Sequence, residues 1–377
     1  MSGAASARHA TRGRAVMSRS IVGRGAALLA LGAGTAAPAL AQDSASGGRG
    51  DGGKRPYVPA AIYDAESPLA MTFTANLGRL RGDKGDKEPW RAATLSYAGP
   101  GGDTVVVPLR ARTRGIWRLK SCTFPPLRFN FANKATRNTL LENLDRPKLV
   151  SYCRDDGRHE QYLLQELQLY RIYRLLTPFS HQVRLLRLTY ADSASRKAQT
   201  TRYAVLLEEE QALARRVRGT LVEEKGAGPD ALEPHHTALV GVFQYLVGNT
   251  DWSIYALHNA ELVRDSIFQI VPVPYDFDFA GAVNAFYATV DPKLPIKKVR
   301  ERIYRGYCVP PEHLAAVLAL FRERRQAIYA LYRDDVGRLL DPKVVEATLA
   351  YFDEFYRTID HPREAKRAIA DACVTGG

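Results

Sequence analysis

Asp276 and Asp278 lie in the run VPVPYDFDFAG (residues 271–281), alternating with Tyr275, Phe277 and Phe279 in an otherwise apolar stretch. Read as a strand, this period of two puts both carboxylates on one face and the aromatics on the other. Two carboxylates at the end of an apolar strand repel each other unless a cation sits between them. Mg²⁺, or Mn²⁺ in its place, suits such a pair, because it takes one or two carboxylates together with phosphate oxygens and water. The competing reading is a half-exposed strand with two solvated acids; the apolar flanks favour the metal. Upstream, GNTDWSIYALHN (248–259) follows a helical run and carries Asp251, His258 and Asn259. An acid that accepts a hydroxyl proton and an amide that completes a metal shell are what phosphoryl transfer requires. A helix C-cap followed by an N-cap explains Gly248-Asn249-Thr250-Asp251 equally well. His258 alone reads as a packing or hydrogen-bonding residue.

Other elements must position these acids. From Ala93 the chain alternates like strands, ATLSYA then TVVVPLRAR, around the turn GPGGD, and LRFNF (127–131) follows as a third strand. A helix is expected over 159–176, stopped by Thr177-Pro178. Two further strands fit 183–190 and 202–209. In the second half a helix fits 237–247, an apolar strand-like run extends to Phe279, and the rest reads as mostly helical. The expected architecture is therefore α+β and two-lobed: a small β-rich lobe with one helix over 57–209, and a larger, mostly helical lobe over 210–377 that carries the acidic site.

The segments FQYLVGNTDWSIYALHN and PVPYDFDFAG resemble the catalytic and metal-binding segments of atypical kinases, above all the CotH-like (spore-coat protein H) secreted kinases, with HipA-like and phosphoinositide kinases more distant. The resemblance runs from about residue 104 to 290, on few and short motifs. It implies a protein-kinase-like fold and transfer of a phosphoryl group from Mg²⁺·ATP to a hydroxyl acceptor. By position it makes Asp251 the catalytic acid/base, with Asn259, Asp276 and Asp278 the metal ligands. It places Arg114 and Gly115 of RTRGIWRL in a turn over the phosphates and Arg128 of LRFNF as the strand cation. Glu166 becomes that cation's helical partner, ahead of Glu160, which points about 120° away on the same helix. The backbone near Leu207 and Glu208 becomes the hinge that meets the adenine edge. The sequence departs from the pattern in having seven residues between Asp251 and Asn259, no Ser pair in the glycine turn, and no Lys at the strand position.

Composition narrows the rest. The 377 residues are 46% hydrophobic and 25% charged, which excludes a wholly disordered chain, a coiled coil and a collagen-like fibre. The net charge is +13, five of it from arginines in the acid-free first 41 residues. That positive balance favours anionic partners, but no basic stripe or aromatic platform suggests nucleic acid. Residues 1–41, ending Ala39-Leu40-Ala41, read as a secretory signal, and 42–56 as a flexible leader. The exported chain would then be periplasmic or extracellular, with no permanent membrane span. All four cysteines fall after the signal, so disulfides are permitted, and Cys122–Cys153 is the first-choice pair. Two alternatives to a kinase stay open: an exported pseudokinase-like scaffold without catalysis, and a metal-dependent phosphoesterase.

Overall fold

The structure is a computed structural model that describes residues 57–85, 89–195 and 199–376. The expected signal and leader lie outside the described residues. Among the described residues ten strands run in chain order: β1 (Leu69–Ala75), β2 (Arg91–Ala98), β3 (Thr104–Thr113), β4 (Leu127–Phe131), β5 (Lys148–Val150), β6 (Val183–Asp192), β7 (Thr200–Leu207), β8 (Thr220–Val222), β9 (Ala260–Arg264) and β10 (Ile270–Pro274). The helices are α1 (Leu77–Gly82), α2 (Trp117–Ser121), α3 (Asn133–Thr136), α4 (Gly157–Leu176), α5 (Glu210–Arg216), α6 (Pro234–Val247), α7 (Pro311–Ala330), α8 (Pro342–Asp360) and α9 (Pro362–Ala365).

The expected two-lobed kinase-like arrangement is not what forms. Seven strands close into a mixed barrel in the order β1-β2-β3-β4-β5-β7-β6, and β8 to β10 make a second, three-stranded sheet. Closure depends on β1, which pairs antiparallel with β2 and parallel with β6, from Leu69 opposite Leu186 to Ala75 opposite Asp192. The sequence reading did not anticipate β1, and without it the strands remain an open sheet. The second half is likewise not simply helical, because it supplies the small sheet.

Period-two alternation decides where the cores lie. On β6 and β7, Leu186, Leu188, Ala204 and Leu206 point into the barrel among Phe73, Leu95 and Phe129. The alternate residues Val183, Leu185, Val205 and Leu207 point outward and pack with α4, α6, α7 and α8. α4 therefore lies against the outer face of the barrel, buried along most of its length, and its Glu160 side chain accepts from the Tyr203 N–H of β7 (2.7 Å). Two disulfides, Cys122–Cys153 and Cys308–Cys373, are made, the first being the expected pair. No helix among the described residues is long and apolar enough to cross a membrane.

Candidate active site

Two loops form the floor of the site, and α6 positions the first. Glu233 caps its N-terminus through the N–H groups of His235 and His236. At its other end Gly248 takes a left-handed conformation (φ 64°), where an added Cβ would lie 1.9 Å from the Tyr351 hydroxyl. This glycine both ends the helix and lets the chain pass Tyr351. The second loop follows β10. That strand stops at Pro274, so Asp276 and Asp278 are in the loop beyond it and not, as expected, on one face of a continuing strand. Pro272 and Pro274 are tolerated because β10 pairs only with β9, leaving its other edge free. The loops are joined through backbone groups: Gly281 N–H to the Gly248 carbonyl (3.0 Å), Ala282 N–H to Val247 (2.9 Å) and Tyr275 N–H to Asn259 (3.1 Å).

Between these loops, the β3–α2 turn and α4 is a cavity of about 380 Å³. Arg114, Gly115, Glu166, Leu207, Asp251, Asn259, Asp276 and Asp278 all line it. Eight of the ten expected site residues, drawn from five separated stretches of chain, thus converge. Asp251 is held on both oxygens: His258 Nε2 lies 2.8 Å from Oδ1, and Asn259 Nδ2 donates to Oδ2 at 3.1 Å and to the Asp251 carbonyl at 2.8 Å. Asn259 adopts φ 50° and Asp276 φ 59°, a region costly for side chains other than glycine and often retained at functional sites. The Asp276 N–H is fixed by the Tyr170 hydroxyl of α4 (2.8 Å), while its carboxylate accepts no hydrogen bond from any described residue.

Arg118 of α2 reaches across the cavity. Its Nε donates to Asp278 (2.9 Å) and its Nη2 to Glu166 (2.8 Å). Burial works against the guanidinium charge, but Asp278 and Glu166 outweigh it and hold Arg118 firmly protonated. Burial raises the Glu166 pKa. Burial, with Asp276 and Glu166 nearby, pushes Asp278 up to about 8 despite Arg118. Three carboxylates crowd one buried arginine, and burial with this crowding favours the neutral form of Asp278 over an excess of negative charge. A hard cation would meet it equally well. The Asp276 carboxylate and the Asn259 side-chain oxygen, whose amide nitrogen is already committed, fit that role. Asp278 is occupied by Arg118 and does not. Among the described residues no group of three or more His, Cys, Asp or Glu side chains is arranged to hold a metal by itself, so phosphate oxygens or water would have to complete the shell.

Two expected assignments fail. Arg128 does not line the cavity: it donates to both oxygens of Glu210 (2.8 Å each) and to the Arg146 carbonyl. The cation beside Glu166 is Arg118, because the short α2 turns it inward. Glu208 offers no free hinge edge, since its N–H goes to Gln182 and its carbonyl meets His181 Nδ1 (3.1 Å). Its carboxylate receives Arg216 and the Gln182 N–H, and Leu207 lies between two paired strands. Besides Arg118, sequence reasoning missed Tyr170 and undervalued His258. The Trp-Arg pair inside RTRGIWRL was the available signal for Arg118, an inward cation flanked by apolar residues.

No protein-family profile, curated protein or solved structure matches the chain. The site must therefore be interpreted from its own chemistry.

Proposed function

We propose that this chain is a phosphotransferase that moves the terminal phosphoryl group of a metal-bound nucleotide, ATP in the first instance, to a hydroxyl acceptor. The observation that carries this reading is the convergence of the paired Asp251, the unpaired Asp276 carboxylate and the inward Arg118 in one cavity. Such a volume falls within the range of small-molecule sites. Asp251 accepts the proton of the acceptor hydroxyl as its oxygen bonds phosphorus, and the bond to the bridging oxygen breaks to release the nucleoside diphosphate. His258, whose side chain is 53% exposed, links Asp251 to solvent. Arg114 at the turn offsets phosphate charge, Arg118 holds Glu166 and Asp278 in place, and Asn259 keeps Asp251 oriented. Asp276 and Asn259 would hold a divalent cation, which would neutralise charge at the phosphates. The resemblance to CotH-like secreted kinases supports the same chemistry, and export with an unidentified acceptor belongs to this proposal.

The test is a thermal shift of residues 42–377 with Mg²⁺ or Mn²⁺ and ATP. Ligand at about 100 times its dissociation constant should add about 2.7 kcal/mol. The shift is expected to need the metal and to vanish in Asp276→Ala, whereas Asp251→Asn should keep it and lose transfer. Absence of any shift overturns the proposal. The Arg118–Asp278 pair favours a second reading, a nucleotide-binding scaffold that transfers nothing, which a metal-dependent shift without turnover would select.

A further inference from the structure

A second cavity, of about 690 Å³, lies on the other side of α4 from the site above. Its lining includes Arg158, Tyr162, Gln165, Arg300 and Thr348. Gln165 is adjacent in sequence to Glu166 and is 2% exposed. It donates to the Thr348 hydroxyl (2.5 Å), but its side-chain carbonyl has no partner. Two acids line the groove as well: Asp156, which caps α4 through the His159 N–H, and Asp341, which caps α8 through the Lys343 N–H, so they balance Arg158 and Arg300 there. Arg158 makes no ion pair among the described residues, and Arg300 is held by the Ala347 carbonyl over the Tyr351 ring.

An aromatic ridge connects the two cavities. Trp117, on the wall of the first, stacks on Tyr287 at 4.6 Å. Tyr287 packs on Phe286 (5.6 Å) and on Tyr162 (5.9 Å), which lines the second. Ile116 is 84% and Phe286 56% exposed. The guanidinium groups of Arg154 and Arg158 lie 5.8 and 6.0 Å from the Phe286 ring. An exposed apolar ridge flanked by two guanidinium groups that make no ion pair among the described residues, and leading to the first cavity, complements an extended chain that carries acidic side chains.

We infer that the acceptor is an acidic polypeptide segment whose flank docks against Arg154 and Arg158 beside the Phe286 ridge and follows that ridge to bring its hydroxyl to Asp251. This rests on the phosphotransfer reading for the role of the docked segment, but the docking itself does not. The test is fluorescence anisotropy of a short fluorescein-labelled peptide of Glu and Ser, beside a Lys and Ser counterpart, with no nucleotide present. The Glu peptide should bind and weaken as salt rises, and the Lys peptide should not. The double variant Arg154→Glu/Arg158→Glu and, separately, Phe286→Ala should each raise the dissociation constant about tenfold or more, with melting checked by circular dichroism. Equal binding of both peptides, or an unchanged constant in both variants, overturns the inference. Binding of inorganic phosphate without binding of the peptide marks a small-anion site and overturns it too. If wild-type protein gives the nucleotide-dependent thermal shift but binds no Glu peptide, the docking inference fails and the phosphotransfer reading stands. If it binds the peptide but gives no shift, the surface stands and the reading fails.

Discussion

Arg118 is the residue on which the site's electrostatics turn. Among the described residues it is the one cation hydrogen-bonded to Glu166 and Asp278, both nearly fully buried. Replacing it with methionine keeps the length and removes the charge, leaving two acids facing each other away from water. Breaking a buried pair in this way costs about 3–5 kcal/mol. The cost should depend on pH. Asp278 is raised from its ordinary value to about 8 even with Arg118 beside it, so stability falls as pH climbs between those two values, and only once Asp278 is ionised does its charge depend on Arg118. Arg118→Met should thus destabilise more at pH 9 than at pH 6, as read from urea midpoints, and a pH-independent loss would refute this account. The acids themselves were legible in sequence because Asp276 and Asp278 interrupt an apolar run. Arg118 offered only the weak signal of its apolar neighbours, and His258 offered none, since a histidine in a loop looks the same whether it points into a cavity or into water. Nothing local in sequence could reveal that Tyr170, on a helix 106 residues earlier, fixes the Asp276 backbone.

Among the elements, β5 and α5 are joined by charge where little apolar contact is available. Lys148 of β5 lies 3.4 Å from Glu210, the first residue of α5, and 3.3 Å from Glu261 of β9, while Arg128 of β4 also holds Glu210. Burial alone would raise the Glu210 pKa, but Lys148 and Arg128 overcome it and lower it to about 2. A carboxyl depressed this far stabilises the fold above its unfolded value, and that stability is lost as pH falls through about 2. The pair of values corresponds to about 3 kcal/mol, an order-of-magnitude figure. Glu210→Gln should therefore flatten the fall in stability between pH 5 and pH 2 that wild type undergoes. A variant as acid-sensitive as wild type would place the effect elsewhere. Many of the longer elements were readable from alternation or helical period: β2, β3, β4, α4, β6, β7 and α6 form close to where expected. β5 was not, being three residues long and buried throughout. β1 does alternate, with Met71, Phe73 and Ala75 inward, but its closing partner β6 is more than a hundred residues away, and no local pattern encodes a parallel pairing.

For the whole molecule, two cross-links each tie together segments well separated along the chain. Cys122–Cys153 spans 31 residues and joins the end of α2 to the segment leading into α4, the two helices that carry Arg118 and Glu166. Cys308–Cys373 spans 65 residues and ties the start of α7 to the C-terminal segment, where the Cys308 N–H also donates to the Val374 carbonyl (2.9 Å). On chain-entropy grounds loops of these lengths each contribute about 4 kcal/mol. Whole-domain stabilities are only about 5–15 kcal/mol, so losing both bonds removes much of the margin. The two bonds should nevertheless be separable. Cys308→Ser/Cys373→Ser lies away from the cavity, so it should lower the urea midpoint while preserving the metal- and nucleotide-dependent thermal shift. Cys122→Ser/Cys153→Ser should lower the midpoint comparably and also shrink that shift, because α2 is then free to carry Arg118 away from Glu166 and Asp278. Equal shifts in the two double variants would mean that the barrel and α4 hold Arg118 in place without the bond. A midpoint unaffected by dithiothreitol in the wild type would mean that neither bond contributes to the stability of the folded chain.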